Sequence, residues 1–449
     1  MNTTLERKLS FISAEFFKAQ FISVEEKRSI FKKIIKSLET NKRNLSKTIQ
    51  EEVKLTELDS QKEVQRAIDT FNTAIQFANT IQTTKKEYKG KIILERRRPR
   101  GPILVITPFS SPLSSPAHKI ACGLIASTSI LFKPSAFSKK IGKLLFEIIK
   151  KATKRHFIEL IDTSIQKDLE DIVSDERIGI ISFTGGYDTG KKIIQLGGVK
   201  KYHMELSGGN SSVIFAPDYK KFDDKLLHNI IDGIIAKNGQ RCVSIKHLFI
   251  HKTQSLFIEK LRNELLKIRE ELEKDSKNAI KKSIGPLINE HYVNQTHKNI
   301  QNLLKGKEYK SLLPFKRKKD LMYPSLYMFP SLNVKDIRFH LEYDLSGPIV
   351  FIYTYSSYKE YAEIINSFRN DYVRSGLQLS IFTFAKIPDN LLTKDLLWGG
   401  IIINDIPTYR SDFMSFGGFG RAGLGKEGFV ETIFAYTDPQ VIVIPDKKL

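Results

Sequence analysis

Cysteine is nearly absent from this 449-residue chain, which holds two, Cys122 and Cys242. Two thiols cannot build a disulfide framework, so the expected setting is a reducing compartment. Glycine and proline are missing from residues 1–85. Helical periodicity therefore runs uninterrupted there, with Ile30, Ile34, Ile35 and Leu38 on one face. Long apolar runs are also missing. Stretches such as 103–106 and 441–444 are strand-sized, far below the ~20 residues that cross a bilayer. Residues 1–10 mix polar and charged side chains and lack a signal-type apolar core, so a cytoplasmic protein without membrane spans is expected. Acids are in deficit, 50 against 72 Lys and Arg, for a formal net charge of +22. Such a balance raises nucleic-acid binding as a possibility. The cations are spread along the chain, however, with no basic arm interleaved with aromatics and no zinc-finger spacing. They read as a solvated Lys-rich surface that favours anionic ligands. The dense cluster Arg96-Arg97-Arg98-Pro99-Arg100 reads as an exposed strand end. No nucleic-acid partner and no metal site are expected.

The chain is too long for one core, and two or three domains are expected. A strand pair surrounds Lys89-Gly90-Lys91, and a buried strand runs from Pro102 to Pro108. Then helix (114–126), strand (129–133), helix (138–153), strand (157–161), helix (166–173) and strand (178–183) alternate. That order predicts βαβ units and a parallel sheet. The turn Thr184-Gly185-Gly186 opens a helix and presents backbone N–H groups to a phosphate, although it is not the G-x-G-x-x-G fingerprint. A second βα block is expected to begin near Glu205, with helix 223–237, a strand at 248–250 and helix 253–274. Residues 275–340 read as loop-rich. Alternation resumes at Pro348 and reaches the strand 399–404. Six glycines within 415–428 predict a loop whose backbone comes close to something. The β-rich stretch 440–444 is suited to pairing with another chain.

The two cysteines sit in different company. Cys122 lies in the apolar run Ile120-Ala121-Cys122-Gly123-Leu124 and reads as a small buried side chain. Cys242 lies in Asn238-Gly239-Gln240-Arg241-Cys242, a polar, Gly-containing turn. Glu205 precedes it by thirty-seven positions, beside a second Gly-rich turn. A thiol and a carboxylate so placed read as a nucleophile and a general base. Arg241 is positioned either to lower the thiol pKa and meet a substrate anion, or to sit in a structural ion pair. Arg410 is a weaker candidate of the same kind.

Seven motifs stand in one order: I-T-P-F-S-S-P-L (106–113), F-K-P-S-A (132–136), F-T-G-G (183–186), M-E-L-S-G-G (204–209), N-G-Q-R-C (238–242), S-G-P-I-V (346–350) and F-G-G-F-G-R-A-G-L-G-K-E-G (416–428). Together they resemble the aldehyde dehydrogenase superfamily over about 25–445. The look is closest to the branch of lactaldehyde, phosphonoacetaldehyde and non-phosphorylating glyceraldehyde-3-phosphate dehydrogenases. The resemblance implies an α/β fold with a Rossmann-type cofactor domain (1–85 and 100–206, with 424–436 returning to it). It further implies an α/β catalytic domain (207–423) and a small β oligomerisation extension (86–99 and 437–449), hence a homodimer or homotetramer. It implies NAD or NADP as cofactor and a small, hydroxylated or anionic aldehyde as substrate.

By that resemblance Cys242 attacks the aldehyde, hydride passes to the cofactor, and Glu205 activates the water that hydrolyses the thioester. The Cys242 backbone N–H and Ser110 form the oxyanion hole, Ser110 standing where the family has an Asn side chain. Lys133 and Ser135 meet the adenine ribose. Thr184, Gly185 and Gly186 line the pyrophosphate path, Asp344 stands in for a ribose-binding Glu, and Phe109 flanks the site. Ser346 replaces a Phe near the nicotinamide. Ala136 stands where NAD-preferring members carry a Glu, so NADP is tolerated. Two alternatives stay open: a catalytically weakened binding protein, and an acylating, coenzyme A-dependent enzyme, against which Glu205 argues.

Overall fold

The computed structural model describes residues 3–154, 156–207, 211–275, 284–330, 343–368, 376–388, 391 and 396–445. Gly208 and Gly209 of the M-E-L-S-G-G motif lie outside them. Four helices open the chain: α1 (Thr3–Ala19), α2 (Val24–Thr40), α3 (Lys42–Val53) and α4 (Glu57–Phe77). Their ends are set locally. Ser23 and Thr56 cap α2 and α4 by accepting from the N–H groups of Glu26 and Asp59, which satisfies otherwise orphaned donors. Lys54 turns left-handed and stops α3. α4 buries Val64, Ala67, Phe71 and Ala74, but also Asp59 and Glu63 one turn apart. Buried acids need partners, and these two find theirs beside the candidate site.

A hairpin follows, β1 (Thr84–Tyr88) and β2 (Lys91–Pro99). Lys89 and Gly90 both have positive φ, the turn whose twist matches paired strands. The alternation then runs β3 (Ile103–Ile106), α5 (Ser114–Ile125), β4 (Ile130–Lys133), α6 (Lys139–Ala152), β5 (Ile158–Leu160), α7 (Gln166–Ser174), β6 (Ile180–Gly185), α8 (Tyr187–Gly197) and β7 (Lys201–Leu206). The strands lie parallel in the order β7-β6-β3-β4-β5. They are largely apolar because both faces are covered. Glu205 closes this sheet, so the second block starts after it, at β8 (Ser211–Phe215).

The second block continues with α9 (Asp224–Ile235), β9 (Ile245–His251), α10 (Ser255–Lys274), α11 (Glu290–Leu304), β10 (Lys310–Leu313), β11 (Arg317–Lys318), β12 (Leu321–Met322) and β13 (Ser325–Phe329). It ends with β14 (Ile349–Tyr355), α12 (Tyr358–Ser367), β15 (Gln378–Phe382) and β16 (Gly400–Ile403). The sheet order is β10-β13-β14-β9-β8-β15-β16, parallel except for β10. The expectation of a loop-rich 275–340 is corrected here. α11 escapes a periodicity reading because its buried face mixes Val293, Ile300 and Leu303 with Thr296 and Asn299.

The glycine-rich segment returns to the first sheet. There β17 (Gly423–Leu424) runs antiparallel on β7, and α13 (Phe429–Ala435) packs on α5. β18 (Thr437–Pro445) then pairs with β2 along its whole length, from Thr437↔Pro99 to Pro445↔Lys91. The C-terminal strand thus takes its first partner from its own chain. The ribbon β1-β2-β18 keeps one open edge on each outer strand. Among the described residues, no helix is long and apolar enough to cross a membrane.

Candidate active site

The nucleophile candidate stands on a constrained turn. Directly after α9, Lys237, Asn238 and Gly239 all take positive φ (52°, 60° and 66°). Two non-glycine residues in that region are strained, so the surroundings must hold them. Asn238 is buried; its Nδ2 donates to Lys54 O and Pro286 O at 2.9 Å each, and its Oδ1 accepts from Gly285 N at 2.6 Å. The Lys237 N–H donates to Asp59 Oδ2 at 2.7 Å, and Gln240 Oε1 accepts from Ile288 N at 3.0 Å. Gly239 lies backbone to backbone on Gly347, where a Cβ would stand 2.4 Å from the Gly347 carbonyl. Lys246, buried where β9 slips register against β8, donates to Gly239 O at 2.9 Å and also to Gly347 O. Burial pulls its ammonium down to about 7, partly offset by Asp344.

Cys242 follows this turn with its thiol open to solvent, whereas Cys122 is buried. The Cys242 N–H has no acceptor among the described residues and is free to donate. Crowding by the protein pushes the thiol up to about 11; Arg241 pulls it down, and Glu205 adds to the rise. Arg241 thus lowers the thiol pKa, the sign expected of a neighbouring cation, but burial outweighs it.

Glu205 lies in β7, in register with Thr184 on β6 and Gly423 on β17. It is buried, and its Oε1 has no hydrogen-bond partner among the described residues. Gly417 packs directly on this carboxyl; a Cβ there would stand 2.5 Å from Oε1. That contact answers the expectation of a close backbone approach in 415–428. Burial first, and the charge of Glu427 second, raise the Glu205 pKa well above the usual carboxylate range. Glu427 behaves oppositely. Burial works against its ionisation, yet Lys119, His118 and Arg410 outweigh it and bring it down to about 2. Lys119 Nζ stands 3.1 Å from Glu427 Oε1, and the Arg410 guanidinium 3.8 Å from Oε2. Arg410 also stacks on Phe416 at 4.2 Å, and its Nη1 is buried without a hydrogen-bond partner among the described residues. Arg410 is thus engaged with a carboxylate of its own chain. The Arg241 guanidinium meets no hydrogen-bond partner among the described residues, while its backbone is held by Ser244: Arg241 N donates to Ser244 Oγ at 3.2 Å and Arg241 O accepts from Ser244 N at 3.1 Å.

The remaining candidates converge around the ends of β3, β4 and β6. Phe109 and Ser110 follow β3. The Phe109 ring meets Phe137 and Tyr292 edge-on at 5.7 and 5.4 Å, and the Ser110 hydroxyl has no partner among the described residues. Lys133 ends β4 and donates to Pro134 O at 2.9 Å. Burial and the neighbouring Lys139 lower its pKa. Ser135 Oγ accepts from Phe137 N at 3.2 Å. Thr184 and Gly185 end β6, and Gly186 precedes α8 without a side-chain cap. The Thr184 hydroxyl is buried and has no hydrogen-bond partner among the described residues. Ser207 Oγ accepts from Tyr187 N at 3.3 Å and also bonds the Asp344 carboxyl, whose pKa burial raises. The loop around Asp344 hangs on α11. Asn299 donates to Asp344 O at 2.9 Å, and Thr296 Oγ1 donates to Ser346 O at 3.0 Å. Open helix N–H groups, an orphaned hydroxyl and a lysine tied only to its own loop suit a phosphate-bearing dinucleotide.

Sequence reading passes over Glu63, Lys119, Lys237, Ser207 and Glu427. Lys119 had a signal: it interrupts the apolar run Pro116-Ala117-His118-Lys119-Ile120 and is fully buried, which lysine seldom is unless paired. Among the described residues no three His, Cys, Asp or Glu side chains group as a metal site.

Comparison with known proteins places the chain among relatives. The chain is 29% identical to a lactaldehyde dehydrogenase of Methanococcus aeolicus, over 93% of this chain and 88% of that protein. It is 28% identical to one of Methanocaldococcus jannaschii, over 98% and 94%. A glyceraldehyde-3-phosphate dehydrogenase of the latter organism, solved in complex with NADP, superposes with a TM-score of 0.86 at 25% identity, over 98% of this chain and 94% of that one. The sequence profile of the aldehyde dehydrogenase family matches residues 13–442, and the chain belongs to that family.

Proposed function

We propose that this oxidoreductase converts a small aldehyde to its carboxylic acid with NAD(P)+, through a thioester on Cys242 that water hydrolyses with help from Glu205. The observation that carries the reading is the pairing across the two sheets. A solvent-open thiol feels the charge of a buried carboxyl that has one oxygen without a hydrogen-bond partner among the described residues. Cys242 Sγ gives its proton to water and adds to the aldehyde carbon as the C=O π bond breaks, and the new oxyanion takes hydrogen bonds from the Cys242 N–H and the Ser110 hydroxyl. NAD(P)+, when bound, supplies the hydride acceptor. Glu205 then takes a proton from the water that attacks the thioester, releasing the acid and restoring the thiol. Burial raises the pKa of both Cys242 and Glu205, so positive charge entering the site favours the ionised form of each.

Lys133 and Ser135 hold the adenosine end, Thr184 to Gly186 the phosphates, and Asp344 the second ribose, with Phe109 against the ring. Ala136 leaves no acid to repel a 2′-phosphate and Lys139 adds a cation, so NADP+ as well as NAD+ is accepted. Arg241, whose guanidinium has no hydrogen-bond partner among the described residues, favours a hydroxylated or anionic aldehyde; Arg410 contributes through Glu427. We assign 1–85 and 100–206, with 424–436, to cofactor binding, 207–423 to catalysis, and the ribbon to assembly of a dimer or tetramer. The test is NAD(P)H formation with a panel including lactaldehyde and glyceraldehyde 3-phosphate. Turnover by the wild type, abolished in Cys242→Ala, is expected; equal rates for both would refute the reading.

A further inference from the structure

The two proposed oxyanion donors belong to different loops, and their separation has to be fixed by something. Ser110 lies between β3 and α5, and the Cys242 N–H follows α9. A third element, α4, touches both loops with two acids one turn apart. Glu63 is buried and takes four hydrogen bonds. Its Oε1 accepts from Leu113 N at 3.1 Å, Ser114 N at 2.8 Å and Ser114 Oγ at 2.9 Å, the start of α5. Its Oε2 accepts from Lys237 Nζ at 2.6 Å, on the cysteine turn. The same ammonium donates to Ser111 Oγ at 3.0 Å, the residue after Ser110. Asp59, one turn earlier on α4, accepts the Lys237 N–H at 2.7 Å. Burial opposes ionisation of Glu63, but Lys237 and the α5 amides outweigh it and lower its pKa. The pair is therefore an ion pair with saturated hydrogen bonds, the case in which a buried charge keeps one geometry.

We infer that Glu63 and Lys237 are positioning residues that set the distance between the Ser110 hydroxyl and the Cys242 N–H, with Asp59 fixing the left-handed Lys237. This rests on the proposed roles of Ser110 and Cys242. Neither Glu63 nor Lys237 need touch substrate. Their effect falls on the step in which the oxyanion forms, where misplacement by about 1 Å costs on the order of 10²-fold.

The experiment measures the pre-steady-state NADPH burst with the best aldehyde of the panel, per thiol titrated by iodoacetamide. The proteins are wild type, Glu63→Gln, Lys237→Met, the double variant and Lys237→Arg. Lys237→Met keeps the Glu63 bonds to α5, so it tests the tether even where Glu63→Gln folds poorly. Expected are burst rate constants lowered about 10²-fold in each single variant, no further loss in the double, an unchanged KM for NADP+, and partial recovery in Lys237→Arg. Burst rates per thiol equal to wild type, with only the amplitude or the melting temperature falling, would make the pair merely structural and overturn the inference. Cys242→Ala, run alongside, separates the cases: a burst there would refute the proposed chemistry instead.

Discussion

Cys242 carries a tension between identity and environment. Its residue type and polar neighbours mark it as a nucleophile, while burial of the thiol pushes it up to about 11. The thiolate is the reactive form, so the cofactor-free enzyme should alkylate slowly at neutral pH. The sign is direct: a raised pKa leaves the thiol protonated through the neutral range, and below that pKa each unit rise in pH multiplies the thiolate about tenfold. The iodoacetamide rate of the cofactor-free protein is predicted to climb through pH 7–10 without a plateau. A plateau near pH 8 would show an activated thiol and contradict this. Legibility at this scale follows the physics. A lone thiol in a polar turn is out of place and can be seen in a string of letters. The burial around it cannot be seen, because β6, β7 and the glycine segment assemble it from positions 184 to 427. Glu63 is illegible for a related reason: an acid on a helix reads as a solvated charge until packing shows which face is inward.

Among the elements, alternation made the first sheet readable, and its strands lie where apolar runs between helices predict. α11 was not readable, since a helix that buries Thr296 and Asn299 shows little apolar period. Those two residues are buried because they hold the Asp344–Ser346 loop, so the same feature that hides the helix serves the site. Gly239 and Gly347 are the closest join between the cysteine turn and that loop. A side chain at 239 needs φ near +66° and would stand 2.4 Å from backbone atoms. Backbone cannot yield as a side-chain tip can. Gly239→Ala is predicted to lose at least about 3 kcal/mol in denaturant unfolding and essentially all turnover. Wild-type stability and activity in that variant would refute the joined-loop description.

At the scale of the molecule, two mostly parallel sheets supply Glu205 and Cys242, and the β1-β2-β18 ribbon is tied to the first of them by Lys201 on β7, which donates to Thr437 O and Asp438 Oδ1 on β18. Its outer strand exposes Val441 at 56% and Val443 at 52%, a costly arrangement for an edge left bare. Paired with a second copy, it closes. Val441→Asp with Val443→Asp is predicted to lower the mass in light scattering to that of a monomer, with single-chain stability changed by no more than about 0.5 kcal/mol. An unchanged mass would place the interface elsewhere. The central claim concerns the pair that the two sheets supply: Cys242 from one forms the thioester and Glu205 from the other clears it. The most direct measurement is a single turnover of Glu205→Gln with aldehyde and NADP+, followed by mass spectrometry of the Cys242 peptide. The account predicts one NADPH per site and an acyl adduct that persists on Cys242. Continued turnover at the wild-type rate, or a stoichiometric burst with no adduct on that peptide, would contradict it.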